Sequence, residues 1–305
     1  MPDAVTVSVV IPTFRRPESL DRALRSLLAM RGVPAGTEVV VVDNDAGASA
    51  ARTVALAAKS ASLPIRYVHE PAAGVANARN AGVRAAEGEL IAFLDDDETA
   101  SPDWLAHLLD TQARFAADAV FGPVVAAIPG DAPHRNYLQR FFSRTGPEAS
   151  GIIDGYYGCG ASLVRRGALP DPAEPFSAAR NLIGGEDDLL FGAMKRRGAR
   201  FAWAAEAWVH EHPAPQRLTL TYALKRAFAF GQGPSSDAWA AGPKSWPMAP
   251  VWMAWGAVQA VGYGLLAALR AADDRAEALD RAARGLGKLL WFPPFKIAFY
   301  GQPRG

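Results

Sequence analysis

Four acidic residues, Asp95, Asp96, Asp97 and Glu98, follow the apolar run Leu90–Leu94 without a break. Carboxylates this close repel one another, so the cluster is costly unless a cation, hydrogen-bond donors or open water stands in front of it. A solvated loop after a strand meets that condition. So does a divalent-metal site at the carboxyl end of a parallel strand, where open α/β sheets bind their ligands. A second acidic run, Glu186, Asp187 and Asp188, heads the stretch EDDLLFGAMKRRG. Acidic residues at a helix N-terminus complement its dipole for ~0.3–1 kcal/mol, a purely structural role. A positioned carboxylate also takes the proton of a hydroxyl nucleophile, which accelerates transfer by about 10²–10⁴-fold. Gly184 and Gly185 just before the run favour the second role, because they let the backbone turn tightly and approach a ligand. YGCGASLVRR supplies another glycine-rich turn, in which Cys159 reads as a small packing residue with no basic or histidine partner nearby in sequence.

For these groups to meet, the scaffold must bring them to one edge. Val5–Ile11 is a β-rich apolar stretch, and Leu20, Leu24, Leu27 and Leu28 recur at helical spacing after Pro17. The pattern repeats: EVVVV before Asp43 and an Ala-rich helix, IRYV before GVANARNAGVRAAE, and ELIAFL before SPDWLAHLLDTQARFA. Strands alternating with helices predict parallel βαβ units and a sheet covered on both faces. AVFGPVVAAI is expected as the next strand. The rhythm then becomes irregular through GIIDGYYGCGASLVRR, so a second functional region is expected from near residue 150. Strand ends of one parallel sheet face one edge, which predicts that Asp43, Arg79, Asn80, Asp95, Asp97 and the 186–188 run converge.

The chain has 305 residues, half of them apolar and 21% charged, a composition that excludes disorder and allows a large core. The lone cysteine forms no internal disulfide, and the N-terminus lacks the basic start and cleavage region of a signal peptide, which together point to a reducing compartment. Net charge is +1, but residues 213–305 carry 11 Lys/Arg against 5 Asp/Glu. Such a tail suits nucleic acid or an anionic membrane surface. Here it is interleaved with five of the eight tryptophans and with the run 250–269, whose only clearly polar member is Gln259. As a helix that run would be about 30 Å long, enough to cross a bilayer.

In order and number, VSVVIPTFRRPESLDRALRSLL, VVDND, GVANARNAG, FLDDDE and GGEDDLLFGAMKRRG resemble the motif series of family 2 glycosyltransferases of the GT-A fold. The resemblance covers roughly the first two-thirds of the chain, the size of one α/β domain. The expected fold class is α/β: a Rossmann-like, mostly parallel sheet flanked by helices, with a C-terminal helical extension. The expected domains are 1–215, with a nucleotide-binding half 1–125 and an acceptor half 126–215, and a helical region 216–305. Two departures stand out: Arg15 occupies a position where many members carry Asn, and the acidic motif is a triple Asp.

Carried over by position, the resemblance implies a nucleotide-sugar donor with Pro12 and Thr13 beside the nucleotide and Asp43 on its base and ribose. Arg79, with Asn80, would approach the base or phosphates, and Asp95, with Asp96, the ribose. Asp97 would hold a divalent metal on the diphosphate, joined by His210, which ends an apolar run, in preference to His212. Asp187 would be the general base, with Glu186, Gly158 and Gly160 on the acceptor side. The chemistry is coherent, because a departing diphosphate gains negative charge that a hard cation neutralises. Oxygen-rich, cysteine-poor ligation suits Mn2+ or Mg2+ rather than zinc.

Other classes compete for the same residues. LIAFLDDDET also fits a haloacid-dehalogenase-like phosphatase with Asp95 as nucleophile, although that motif belongs to a first strand and here ends the fourth. A nicotinamide dehydrogenase would need G-x-G-x-x-G after the first strand, and a nucleotidyltransferase a Gly-rich basic loop there; IPTFRRPES contains no glycine. A non-catalytic sugar-nucleotide-binding protein would be marked by loss of the acidic pair or the base, and both are present. The expectation is therefore an inverting enzyme that moves a sugar, from a uridine nucleotide by the family pattern, to an acceptor hydroxyl. The acceptor would be a sugar or lipid-linked one in cell-surface polysaccharide or glycolipid synthesis, with no nucleic acid as partner. The catalytic domain is expected on the cytoplasmic side of the cell membrane, held by residues from about 245 to 300 through an interfacial, re-entrant or spanning segment.

Overall fold

The computed structural model describes residues 6–181 and 184–297; the last positions of the expected membrane-attached segment, 298–300, lie outside these. The described residues fall into two compact units. The first comprises the chain up to Val125 together with Ser143–His212, and the second Ala126–Phe142 together with the chain from Pro213 onward. The segment Ala126–Phe142, which the sequence assigns to an acceptor half, thus belongs with the C-terminal helices.

The first unit is built on strands β1 (Val7–Thr13), β2 (Thr37–Asp43), β3 (Ile65–His69) and β4 (Leu90–Phe93), separated by helices α1 (Pro17–Leu28), α2 (Ala51–Ala58) and α3 (Val75–Ala85). After them come β5 (Glu98–Ala100), α4 (Trp104–Phe115), β6 (Ala119–Phe121) and β7 (Val124–Ala126). Every residue of β2 is buried, as a central parallel strand covered on both faces requires. Pro17 sits in the first turn of α1, where its missing N–H costs nothing, and the helix turns Leu20, Ala23, Leu24 and Leu27 onto the sheet core. The expected continuous strand over AVFGPVVAAI is instead two short strands in different sheets. Pro123 has no N–H to continue the ladder, and the chain changes sheet there.

The remaining strands are β8 (Gly151–Ile153), β9 (Ser162–Arg165), β10 (Phe201–Trp203) and β11 (Val209–Glu211), with α5 (Arg135–Phe142) before β8 and α6 (Glu186–Arg196) between β9 and β10. The main sheet runs β3-β2-β1-β4-β9-β6-β10-β8, and β5-β11-β7 form a second, small sheet. β1, β2, β3 and β4 are mutually parallel, with Thr13 beside Asp43 and Val10 beside Phe93. β9 lies antiparallel between β4 and β6, pairing Ser162 with Phe93. That reversal matters for the site: it carries the loop entering β9 to the edge where β1, β2 and β4 end.

The second unit packs α5 with α7 (Leu220–Ala240), α8 (Met248–Ala268) and α9 (Ala272–Leu289). Tyr137, Leu138 and Phe142 of α5 share a small core with Ala223 and Ala276, and the Tyr137 hydroxyl donates to Asp280 at 3.2 Å.

Candidate functional site

At the carboxyl edge of β1 and β4 the acidic run is held by cations from three directions. Thr13 Oγ1 donates to Asp96 Oδ2 at 2.8 Å, and Arg16, just before α1, spans the next two carboxylates, with Nη1 3.0 Å from Asp96 Oδ1 and 2.8 Å from Asp97 Oδ2. Burial pushes the Asp96 carboxyl up to about 6, with Arg16 pulling the other way. Arg144 donates to Glu98 Oε1 at 2.9 Å and lies 3.7 Å from Glu211. Burial, and then the Asp95 charge, push Glu98 well above the usual carboxylate range despite Arg144.

Arg79 makes the third connection. It projects from α3, is 5% exposed, and donates Nη2 to Asp95 Oδ1 at 3.1 Å and Nη1 to Glu186 Oε1. Burial alone would depress its pKa, but the anionic groups around it, with Asp95, Glu186 and Asp187 among them, hold it well above the ordinary arginine value. The buried guanidinium therefore carries a full charge between the acidic motif after β4 and the first turn of α6.

Asp187 follows Glu186 on α6. Its Oδ2 accepts from the Cys159 backbone N–H at 3.3 Å and its Oδ1 from the Asp188 N–H at 2.9 Å, so the carboxylate is oriented by two donors. The turn ahead of α6 has Gly184 and Gly185 at φ of 74° and 79°, in the left-handed region glycine tolerates. Opposite stands the loop Gly158–Gly160. A Cβ on Gly160 would sit 2.6 Å from Glu98 Oε1 and 2.8 Å from Asp95 Oδ2, so only a residue without a side chain lets this backbone press against both carboxylates. Cys159 is buried, and burial pushes its thiol up, which leaves it protonated and inert.

Thr13, Arg79, Asp95, Asp96, Asp97, Gly158, Gly160, Glu186 and Asp187 are thus gathered in one connected set, and Pro12 adjoins it through Thr13. Asp43 and Asn80 sit in a different setting. Asp43 is fully buried, with Oδ1 accepting from Asp45 N–H and Oδ2 from Ala50 N–H and the Tyr67 hydroxyl, so it organises the turn after β2. Asn80 clamps Phe176 by two backbone hydrogen bonds of 2.8 and 2.9 Å. His210 is the exposed middle residue of β11, between buried Val209 and Glu211. His212 is the histidine joined to the acidic motif: its N–H donates to the Asp97 carbonyl at 2.7 Å and its Nε2 lies 2.9 Å from Thr99 Oγ1.

Sequence reasoning missed Arg16, Arg144 and the buried place of Glu98. Arg16 had a signal, since a cation beside the first strand end must face the acids of its parallel neighbour. Arg144 had none, lying 46 positions from its partner.

No cluster of three metal-ligating side chains occurs among the described residues. The donor chemistry still fits a divalent cation that takes most of its ligands from phosphate and water. Asp97 is a rim carboxylate, 14% exposed, and the Arg16 guanidinium already stands as a positive charge across it and Asp96.

The sequence model described as Glycosyl transferase family 2 matches residues 8–171. Succinoglycan biosynthesis protein ExoM of Rhizobium meliloti (strain 1021) is 39% identical over 232 residues, covering 75% of this chain and 74% of its own. Among solved structures, the mannosyltransferase PcManGT from Pyrobaculum calidifontis, in complex with GDP-Man and Mn2+, superposes with a TM-score of 0.64 at 20% identity over 93% of this chain and 87% of that one. S. aureus TarS 1-349 in complex with UDP-GlcNAc does so with a TM-score of 0.53 at 18% identity, over 93% and 90%. At such identities the structural likeness concerns the fold.

Proposed function

The chain belongs to glycosyl transferase family 2, a sugar-transferring enzyme on a GT-A fold, and on that premise we propose that it moves a sugar from a nucleoside diphosphate donor to an acceptor hydroxyl with inversion at the anomeric carbon. Membership sets aside the phosphatase reading of Asp95. The observation that carries the proposal is the Arg79 bridge, which brings the acidic motif at the strand edge and the acidic start of α6 onto one guanidinium.

In this reading Asp187 is the base. Its carboxylate, aimed by the Cys159 and Asp188 N–H groups, receives the acceptor proton as the acceptor oxygen bonds to the anomeric carbon and the bond to the diphosphate breaks on the opposite side. Asp97 is the side chain that would hold a divalent cation, with His212 anchoring its backbone; bound there, Mn2+ or Mg2+ would offset the charge developing on the diphosphate. Thr13, Arg16 and Asp96 fix the acidic motif against β1, and Asp95 is positioned by Arg79. Donor binding is assigned to the half up to residue 125 and acceptor binding to the Gly158–Gly160 loop with Glu186. Uridine is the nucleotide base we favour. ExoM is a succinoglycan biosynthesis protein, which supports a role in polysaccharide or glycolipid synthesis, with the catalytic unit at the cytoplasmic face of the membrane.

The test is a panel of nucleotide sugars incubated with the purified protein, reading release of nucleoside diphosphate. One donor hydrolysed well above the rest identifies the substrate. No hydrolysis of any donor, with or without manganese, refutes the assignment.

A further inference from the structure

α8 contains no charged residue in its 21 positions, and its two hydrogen-bonded side chains, Gln259 and Tyr263, turn the same way. Gln259 donates to the Arg281 carbonyl at 2.8 Å and accepts from Lys288 Nζ at 3.0 Å, while the Tyr263 hydroxyl accepts from Arg281 at 3.0 Å. Both partner residues belong to α9. Small residues let the two helices approach closely on the same side: a Cβ on Gly256 would lie 2.6 Å from the Gly285 carbonyl, and one on Gly285 2.6 Å from the Ala260 nitrogen.

Among the described residues nothing covers the opposite side. Val251, Trp255, Val258, Val261, Leu265 and Leu269 are 55–85% exposed, and their spacing of three or four residues lines them up along one face. The stripe runs for about 27 Å. Trp239 and Trp246, stacked at 4.9 Å and half exposed, stand near its start, and exposed Lys244 and Arg270 lie beyond its two ends. An uninterrupted apolar face of this length on a water-exposed helix needs a cover.

We infer that α8 lies in the plane of an anionic membrane surface, with the Val251–Leu269 stripe sunk into the acyl boundary, and does not cross the bilayer. This gives a mode to the membrane location proposed above and rests on that reading. A crossing is opposed by α9. It packs along α8 from Gly256 to Tyr263 and carries Asp280, Arg281, Arg284 and Lys288 over that same length, so a spanning α8 would draw these charges into hydrocarbon. An in-plane helix keeps α9 in water while burying the stripe about 5–10 Å deep. Lipid is favoured as the cover because the tail has 11 cations against 5 anions and places tryptophans at the stripe's edge, the composition of an interfacial anchor.

The test is flotation of the full chain with vesicles of phosphatidylcholine alone and of phosphatidylcholine with phosphatidylglycerol. It is run for wild type and for Val258→Asp with Leu265→Asp, two exposed positions whose substitution leaves α9 contacts intact. Wild type should float at least tenfold more with the anionic vesicles, be released by alkaline carbonate, and lose flotation in the double variant at unchanged melting temperature. Resistance to carbonate would mean a span. Absence of flotation, with or without a dimer that the double variant dissociates, would overturn the lipid assignment. Donor hydrolysis, measured without vesicles in both proteins, should be equal; its loss in both would speak against the sugar-transfer reading and leave the flotation result standing.

Discussion

Arg79 and Glu186 stand 107 positions apart in the chain and form an ion pair in which the side chains are only 6% and 7% exposed. A pair so buried is worth little net compared with apolar packing, but removing one partner strands the other as an uncompensated charge. Arg79→Met should therefore lower stability by about 3–5 kcal/mol, read as a shift in the urea midpoint at unchanged slope. A smaller loss, under about 1 kcal/mol, would mean that Glu186 and Asp95 find water when the arginine is gone.

Asp187→Asn keeps the shape of the side chain and its acceptor for the Cys159 N–H but cannot take a proton. Turnover should fall by at least about 10²-fold while nucleoside diphosphate affinity stays within about twofold. Measuring transfer and nucleotide titration on the same preparation separates the two. Retained turnover would place the base elsewhere.

Asp97→Ala should abolish the manganese dependence of nucleoside diphosphate binding. Calorimetric titration with and without Mn2+ decides it. If the variant still gains affinity from the metal, another side chain holds the ion.

Gly160→Ala introduces a methyl 2.6 Å from Glu98 and 2.8 Å from Asp95. Glu98 is pinned by Arg144 and cannot yield cheaply. We expect about 1–3 kcal/mol of destabilisation, the usual cost of overpacking, seen as a lowered melting temperature, and reduced turnover in what remains folded.

Asp96 gives a pH signature. An ordinary aspartate titrates near 3.8, whereas burial holds this one at about 6 in the fold, so between those values the folded state binds the proton more readily. The stability tied to this group is complete below about pH 4 and is lost as pH rises through 6. Asp96→Asn cannot ionise and should flatten that part of the melting-temperature profile, measured from pH 4 to 7. An unchanged profile would show that Arg16 offsets burial fully.

The strand and helix rhythm was legible because β1, β2 and β4 are apolar runs broken by helical periodicity, and parallel strands then oblige Thr13 and Asp95 to share an edge. The antiparallel entry of β9 was not, since nothing local to SLVR states its direction, yet it is what brings Gly158 and Gly160 to the acids. His210 stands between buried Val209 and Glu211, so the period-two alternation of β11 turns it outward, whereas His212 follows the strand and bonds the Asp97 carbonyl. Asp43 and Asn80 were legible as polar residues at the right edge. Their occupation by backbone donors and acceptors depends on turns that only the folded chain forms.

The second compact unit is discontinuous, and that orders events during synthesis. α5 emerges from the ribosome about 80 residues before α7, the first of its helical partners, so at roughly 5–20 residues per second its apolar side waits on the order of 4–16 s for that cover. Tyr137, Leu138 and Phe142 are exposed to chaperones or to other nascent chains throughout that interval. A chain ending at residue 212 would never leave it, and should be recovered as aggregate even though every strand of the main sheet is present.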